Sequence, residues 1–74
     1  MNELLEILRE VKPGIDFETE TSLVDDGILD SLDIISIISE VSDEFDVKIP
    51  PEEITPDNFN SAEAIMELIN DLED

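Results

Sequence analysis

The fold turns on Asp25-Asp26-Gly27-Ile28-Leu29-Asp30-Ser31-Leu32-Asp33. Acids and one glycine run directly into an isoleucine-rich segment, so a loop ends and a helix begins at the serine. The first peptide N–H groups of such a helix lack intrahelical partners, and its dipole presents the positive end there. A phosphate group suits that place.

Downstream, the spacing predicts a central helix from Ser31 to Phe45, with Asp30 as N-cap and Asp33 as the acid of a short-armed capping box. Ile34, Ile38, Val41 and Phe45 form one apolar stripe, and Leu32, Ile35 and Ile37 widen it beyond what one flank needs. That predicts the most buried helix of the chain. Upstream, Leu4, Ile7, Leu8 and Val11 follow helical spacing over Asn2 to Val11, with Asn2 as cap and Arg9 and Lys12 suited to the end. Pro13-Gly14 stops that helix.

Residues 13 to 30 show no sustained period, and a connection of that length is either functional or hides an element. Ile15, Phe17, Leu23, Val24, Ile28 and Leu29 predict an ordered loop wrapped across the helices, because a disordered linker would be depleted in them. After the central helix, Asp46 to Pro50 should leave with Val47 and Ile49 pointing inward. Pro51-Glu52-Glu53-Ile54 reads as a single helical turn limited by Thr55-Pro56, with room for a second brief turn at Asp57-Asn58-Phe59. The last helix is expected to start with Asn60 as cap and Glu63 as its reciprocal partner, and to present Ala62, Ile65, Leu68, Ile69 and Leu72 on one face. Glu73-Asp74 should fray. The expected fold is all-α, a small four-helix bundle of three longer helices and one short, forming a single domain over residues 1–74.

Twenty-two acids against three bases give the 74-residue chain a formal charge of −19. Such a chain repels nucleic acid and is drawn to basic partner surfaces. Self-repulsion opposes folding, so added salt should raise the melting temperature while slowing association with those partners; a calorimetric salt titration checks the first effect. Histidine and cysteine are absent, which removes the imidazole base, the thiol nucleophile and the usual zinc ligands. No catalytic residue and no metal ligand is assigned. A calcium loop also fails, because with Gly27 in the sixth place the first and third ligand places fall on Ser22 and Val24. No leader and no membrane-length apolar run is present, and the reading is of a discrete, soluble, cytoplasmic monomer.

Ser31 in isolation reads as a helix-start residue. It has no base to make it a nucleophile, so a serine modified by another enzyme is the better functional reading. At this point the chain resembles the acyl carrier proteins and their peptidyl, aryl and D-alanyl relatives. The resemblance lies in Asp30-Ser31-Leu32 opening an acidic helix, Asp43-Glu44-Phe45-Asp46-Val47-Lys48-Ile49-Pro50 closing it, and Glu53-Ile54-Thr55-Pro56-Asp57-Asn58-Phe59 leading to the last helix. It implies that Ser31, flanked by Asp30 and Leu32, carries 4′-phosphopantetheine through a phosphodiester. The arm's thiol would hold acyl intermediates as thioesters, as in fatty acid biosynthesis.

The resemblance also implies the partners: a phosphopantetheinyl transferase, an acyl- or aminoacyl-activating ligase, and synthases or transferases with basic docking patches. These would read the acids of the central helix, Asp33, Glu40, Asp43 and Glu44, which otherwise form an ordinary solvated face. The fatty-acid type commonly reads Gly-x-Asp-Ser, whereas here Ile28 and Leu29 separate Gly27 from Asp30, an arrangement similar to D-alanyl and some specialised carriers. The cargo therefore stays open between acyl, D-alanyl and other aminoacyl or peptidyl groups. A fatty chain would gain about 0.8 kcal/mol per methylene sheltered, a small aminoacyl group little. The rival of another class is an unmodified acidic adaptor.

Overall fold

Apolar residues at three- and four-residue spacing need a common surface to hide on, and the chain supplies it by folding three amphipathic helices around one aliphatic interior. A computed structural model describes residues 2–73. In order, α1 is Asn2–Val11, α2 is Ser31–Phe45, a 3-10 turn is Pro51–Glu53, α3 is Pro56–Phe59 and α4 is Ala62–Glu73. Among the described residues there is no strand. Helix α1 packs on α2 and less extensively on α4, and α3 packs on α4.

The core draws Leu4 and Leu8 from α1, Ile37 and Val41 from α2, and Ile65 and Ile69 from α4. The long connection adds Phe17, Leu23 and Leu29, all buried, so it is the ordered, wrapped segment expected from its apolar content. Ile49 is buried and Val47 packs on the core, while Phe59 at the end of α3 is fully enclosed. No polar or charged residue is buried among the described residues, leaving dispersion and the hydrophobic effect to hold the interior together.

Several expectations need correction. Helix α2 is not the most buried element: only Ile37 and Val41 are fully enclosed, whereas Leu32 and Ile35 stand 74% and 61% exposed. Ten-residue α1 encloses Leu4, Leu5, Ile7 and Leu8, because it has neighbours on two sides. The wide apolar face of α2 is thus partly surface. Asn2, expected to cap α1, is already helical. Asn60 does not cap α4 with Glu63; Ser61 Oγ accepts from the Ala64 N–H at 3.0 Å instead. The cap moves by one residue because the Asn60 amide is engaged elsewhere. Glu73 remains helical, and the fraying expected at Asp74 lies outside the described residues.

Helix α2 ends on Asp46, whose φ of 54° and ψ of 46° are left-handed. A side chain in that region costs roughly 1–2 kcal/mol, and a carboxylate at a helix C-terminus faces the negative end of the dipole. Glycine relieves both. Allowing for its greater freedom when unfolded, Asp46→Gly should stabilise the protein by about 1 kcal/mol, a rise in melting temperature of roughly 4–8 °C by circular dichroism.

Candidate functional site

The start of α2 is built by two reciprocal hydrogen bonds. Asp30 sits in extended conformation, its Oδ1 accepting from the Asp33 N–H at 2.9 Å, and Asp33 Oδ2 accepts from the Asp30 N–H at 3.2 Å. The Asp30 carbonyl receives the Ile34 N–H at 3.0 Å, which begins the helical ladder. Between these bonded amides, the N–H groups of Ser31 and Leu32 find no acceptor among the described residues. Ser31 is the first helical residue and is exposed. A hydroxyl therefore stands in solvent beside two unpaired donors at the positive end of a fifteen-residue helix.

The loop that leads into it is closed on itself. The Asp26 N–H donates to the Ser22 carbonyl at 2.8 Å, Gly27 to Val24 at 3.0 Å and Leu29 to Leu23 at 2.9 Å. Gly27 has φ +73°, the left-handed region that a side chain resists, and this residue turns the chain toward Asp30.

Beside Ser31 runs a half-open groove of about 360 Å³, with Val24, Ile34, Ile35 and Ile38 on one side and Ile54, Thr55 and Pro56 on the other. Its lining carries no charged side chain. With Leu32, Ile35 and the 40%-exposed Ile54 it makes the mouth of the site apolar. Periodicity marked Ile34, Ile35 and Ile38 as helix face but could not reveal the groove, because its opposite wall comes from a turn twenty residues away.

The sequence-selected acids divide. Glu40, Asp43 and Glu44 are exposed along α2. Asp33 is not free: besides its capping bond it receives the Lys12 ammonium at 3.2 Å, and its side chain is only 17% exposed. Partial burial works to raise its pKa, but the Asp30 N–H and the Lys12 ammonium outweigh that and hold the carboxyl below its usual range. A lowered folded-state pKa means stability that is present at neutral pH and lost as pH falls through that lowered value. Asp33→Ala should cost about 1 kcal/mol at pH 7, with the gap to the parent closing in more acidic solution. Chemical denaturation across a pH series measures it.

Among the described residues no group of acids is placed to hold a metal ion, and no helix is long and apolar enough to cross a membrane. The residues at the start of α2 fit a phosphodiester: an accessible hydroxyl to bear it, two amides to face its oxygens, and an apolar groove alongside.

Comparison with known proteins places the chain among carrier proteins. The family model described as "Phosphopantetheine attachment site" matches residues 2–69. The chain is similar to the D-alanyl carrier protein of Streptococcus sanguinis, 31% identical over 71 residues that cover 95% of this chain and 90% of that one. It is also similar to aminoacyl carrier protein 1 of Bradyrhizobium diazoefficiens, 38% identical over 63 residues, covering 85% and 69%. A D-alanyl carrier protein of Streptococcus mutans is 32% identical over 72 residues, covering 96% and 91%.

Proposed function

Because the chain belongs to the phosphopantetheine-attachment family of acyl carrier proteins, which bear 4′-phosphopantetheine covalently on a serine, we propose that Ser31 is the serine modified and that the cargo is an activated aminoacyl or short acyl group. The observation that carries this reading is the exposed Ser31 hydroxyl beside the unpaired amides of Ser31 and Leu32. Transfer of the arm from coenzyme A breaks the Ser31 O–H bond and the donor's pyrophosphate P–O bond, forms an Oγ–P bond, and releases the proton and the nucleotide phosphate portion of the donor. The arm supplies the thiol that this cysteine-free chain lacks.

Asp30 keeps the helix start in register, Leu32 flanks the serine with apolar surface, and the Ser31 and Leu32 amides face the phosphodiester. Glu40, Asp43 and Glu44 supply the attraction that speeds encounters with basic docking patches, and brief, salt-sensitive complexes suit a shuttle. Asp33 contributes to that field but acts chiefly on the helix start. The chain itself is a substrate of its transferase, ligase and acceptor enzymes rather than a catalyst. It works as one domain over residues 1–74, its helices arranged as a bundle, a monomer of the cytoplasm.

An aminoacyl cargo is favoured by the D-alanyl and aminoacyl names of the relatives and by the two residues between Gly27 and Asp30. A longer acyl cargo is favoured by the apolar groove beside Ser31. Incubation with a phosphopantetheinyl transferase and coenzyme A, followed by intact-mass and peptide analysis, tests the site. One added arm on the Ser31 peptide is expected; an unmodified chain would leave only the adaptor reading. Loading of the modified chain from D-alanyl, other aminoacyl and fatty acyl donors then decides between cargoes.

A further inference from the structure

Asn60 lies between α3 and α4, yet its hydrogen bonds go to the loop that precedes Ser31. Its carbonyl oxygen accepts from the Leu23 N–H at 2.9 Å. Its side-chain Oδ1 accepts from the N–H groups of Val24 at 3.0 Å and Asp25 at 3.1 Å, and its Nδ2 donates to Asp25 Oδ2 at 3.2 Å. Four bonds from one residue thus hold the first turn of a loop that closes on itself through Leu29 and then delivers Asp30 and Ser31. Buried Leu23 and Leu29 fasten the same loop from below.

We propose that Asn60 is a positioning residue for the modification of Ser31, acting through the 23–29 loop. The inference rests on the reading of Ser31 as the attachment site. The side chain must accept from two neighbouring amides and donate to a carboxylate, which an amide does and an ionised carboxylate does not. With the loop fixed, the transferase meets Ser31 on a surface already in its bound shape; with the loop loose, that ordering is charged against every encounter.

Asn60→Asp is the sharp probe, since it keeps the acceptor for Val24 and Asp25 but sets a second carboxylate against Asp25. Adding Asp25→Asn reverses donor and acceptor and restores the match at the parental net charge. Transferase kcat and KM with coenzyme A are measured on the parent, N60D, D25N, the double variant, and N70D as a control that adds the same charge on an exposed turn of α4, well below the lowest melting temperature of the set. N60D should lose about tenfold in kcat/KM, mainly through KM. The amides of Leu23, Val24 and Asp25 should exchange faster, and the double variant should recover most of the loss.

Parental kcat/KM in N60D, an equal loss in N70D, or no recovery in the double variant overturns the proposal; if N60D does not fold, Asn60→Ala takes its place, and parental kcat/KM in that variant overturns the proposal. Ser31→Ala separates the two readings: an arm still gained by it sinks the Ser31 assignment, whereas an inert S31A beside an N60D modified at the parental rate sinks only the role of Asn60.

Discussion

Ser31→Ala is expected to fold like the parent and to take up no arm at all. The cap of α2 is the Asp30 carboxylate, not the Ser31 hydroxyl, so the substitution leaves both capping bonds in place. Ser31 is exposed and alanine is the better helix former, which keeps the stability change within about 0.5 kcal/mol. The other two exposed serines cannot substitute for it. Ser36 and Ser39 are also exposed on α2, but they lie mid-helix, where the backbone amides are already committed to the ladder and no dipole end is presented. Intact mass after exhaustive transferase treatment reads the result. Parental circular dichroism with an unshifted mass is the expected pair; a full mass gain in the variant would remove Ser31 from the mechanism.

The second large effect is on folding. Phe59→Ala should remove about 3–5 kcal/mol, from a total that for a chain of this length is roughly 4–11 kcal/mol. The ring is fully enclosed at the end of a four-residue helix that has little else to hold it against α4. The melting temperature should fall on the order of 20 °C. Phe45, only partly buried at the end of α2, provides the comparison: its alanine variant should lose clearly less. Without tryptophan or tyrosine the transitions must be followed by far-ultraviolet circular dichroism or nuclear magnetic resonance. Equal losses at the two positions would contradict the packing described.

The helices were legible wherever a local rule decides them. The bounds of α2 and the reciprocal bonds of Asp30 and Asp33 follow from an acid placed before and an acid placed three residues into an apolar period. Phe17, Leu23 and Leu29 mark the long connection as ordered by their apolar character alone. Other features depend on partners distant in sequence and have no local signature. Asn60 fits a capping pattern with Glu63, yet its amide goes to Val24 and Asp25, and Ser61 takes over the cap. Leu32 and Ile35 belong to an apolar face by spacing, but spacing records which side chains share a face and not whether another helix covers it. The capping role of Asp33 is local and legible, but its pairing with Lys12, at the end of another helix, has no local signature.

The uncovered Leu32, Ile35 and Ile54 around Ser31 have a colloidal consequence. At neutral pH copies of this chain are kept apart by their large like charge, so an apolar mouth can stand open to water without sticking to its twin. Acidify the solution toward the isoelectric point near pH 4.1, and that electrostatic spacing collapses while the mouth stays as greasy as before. Concentrated stocks should then cloud before the helices melt.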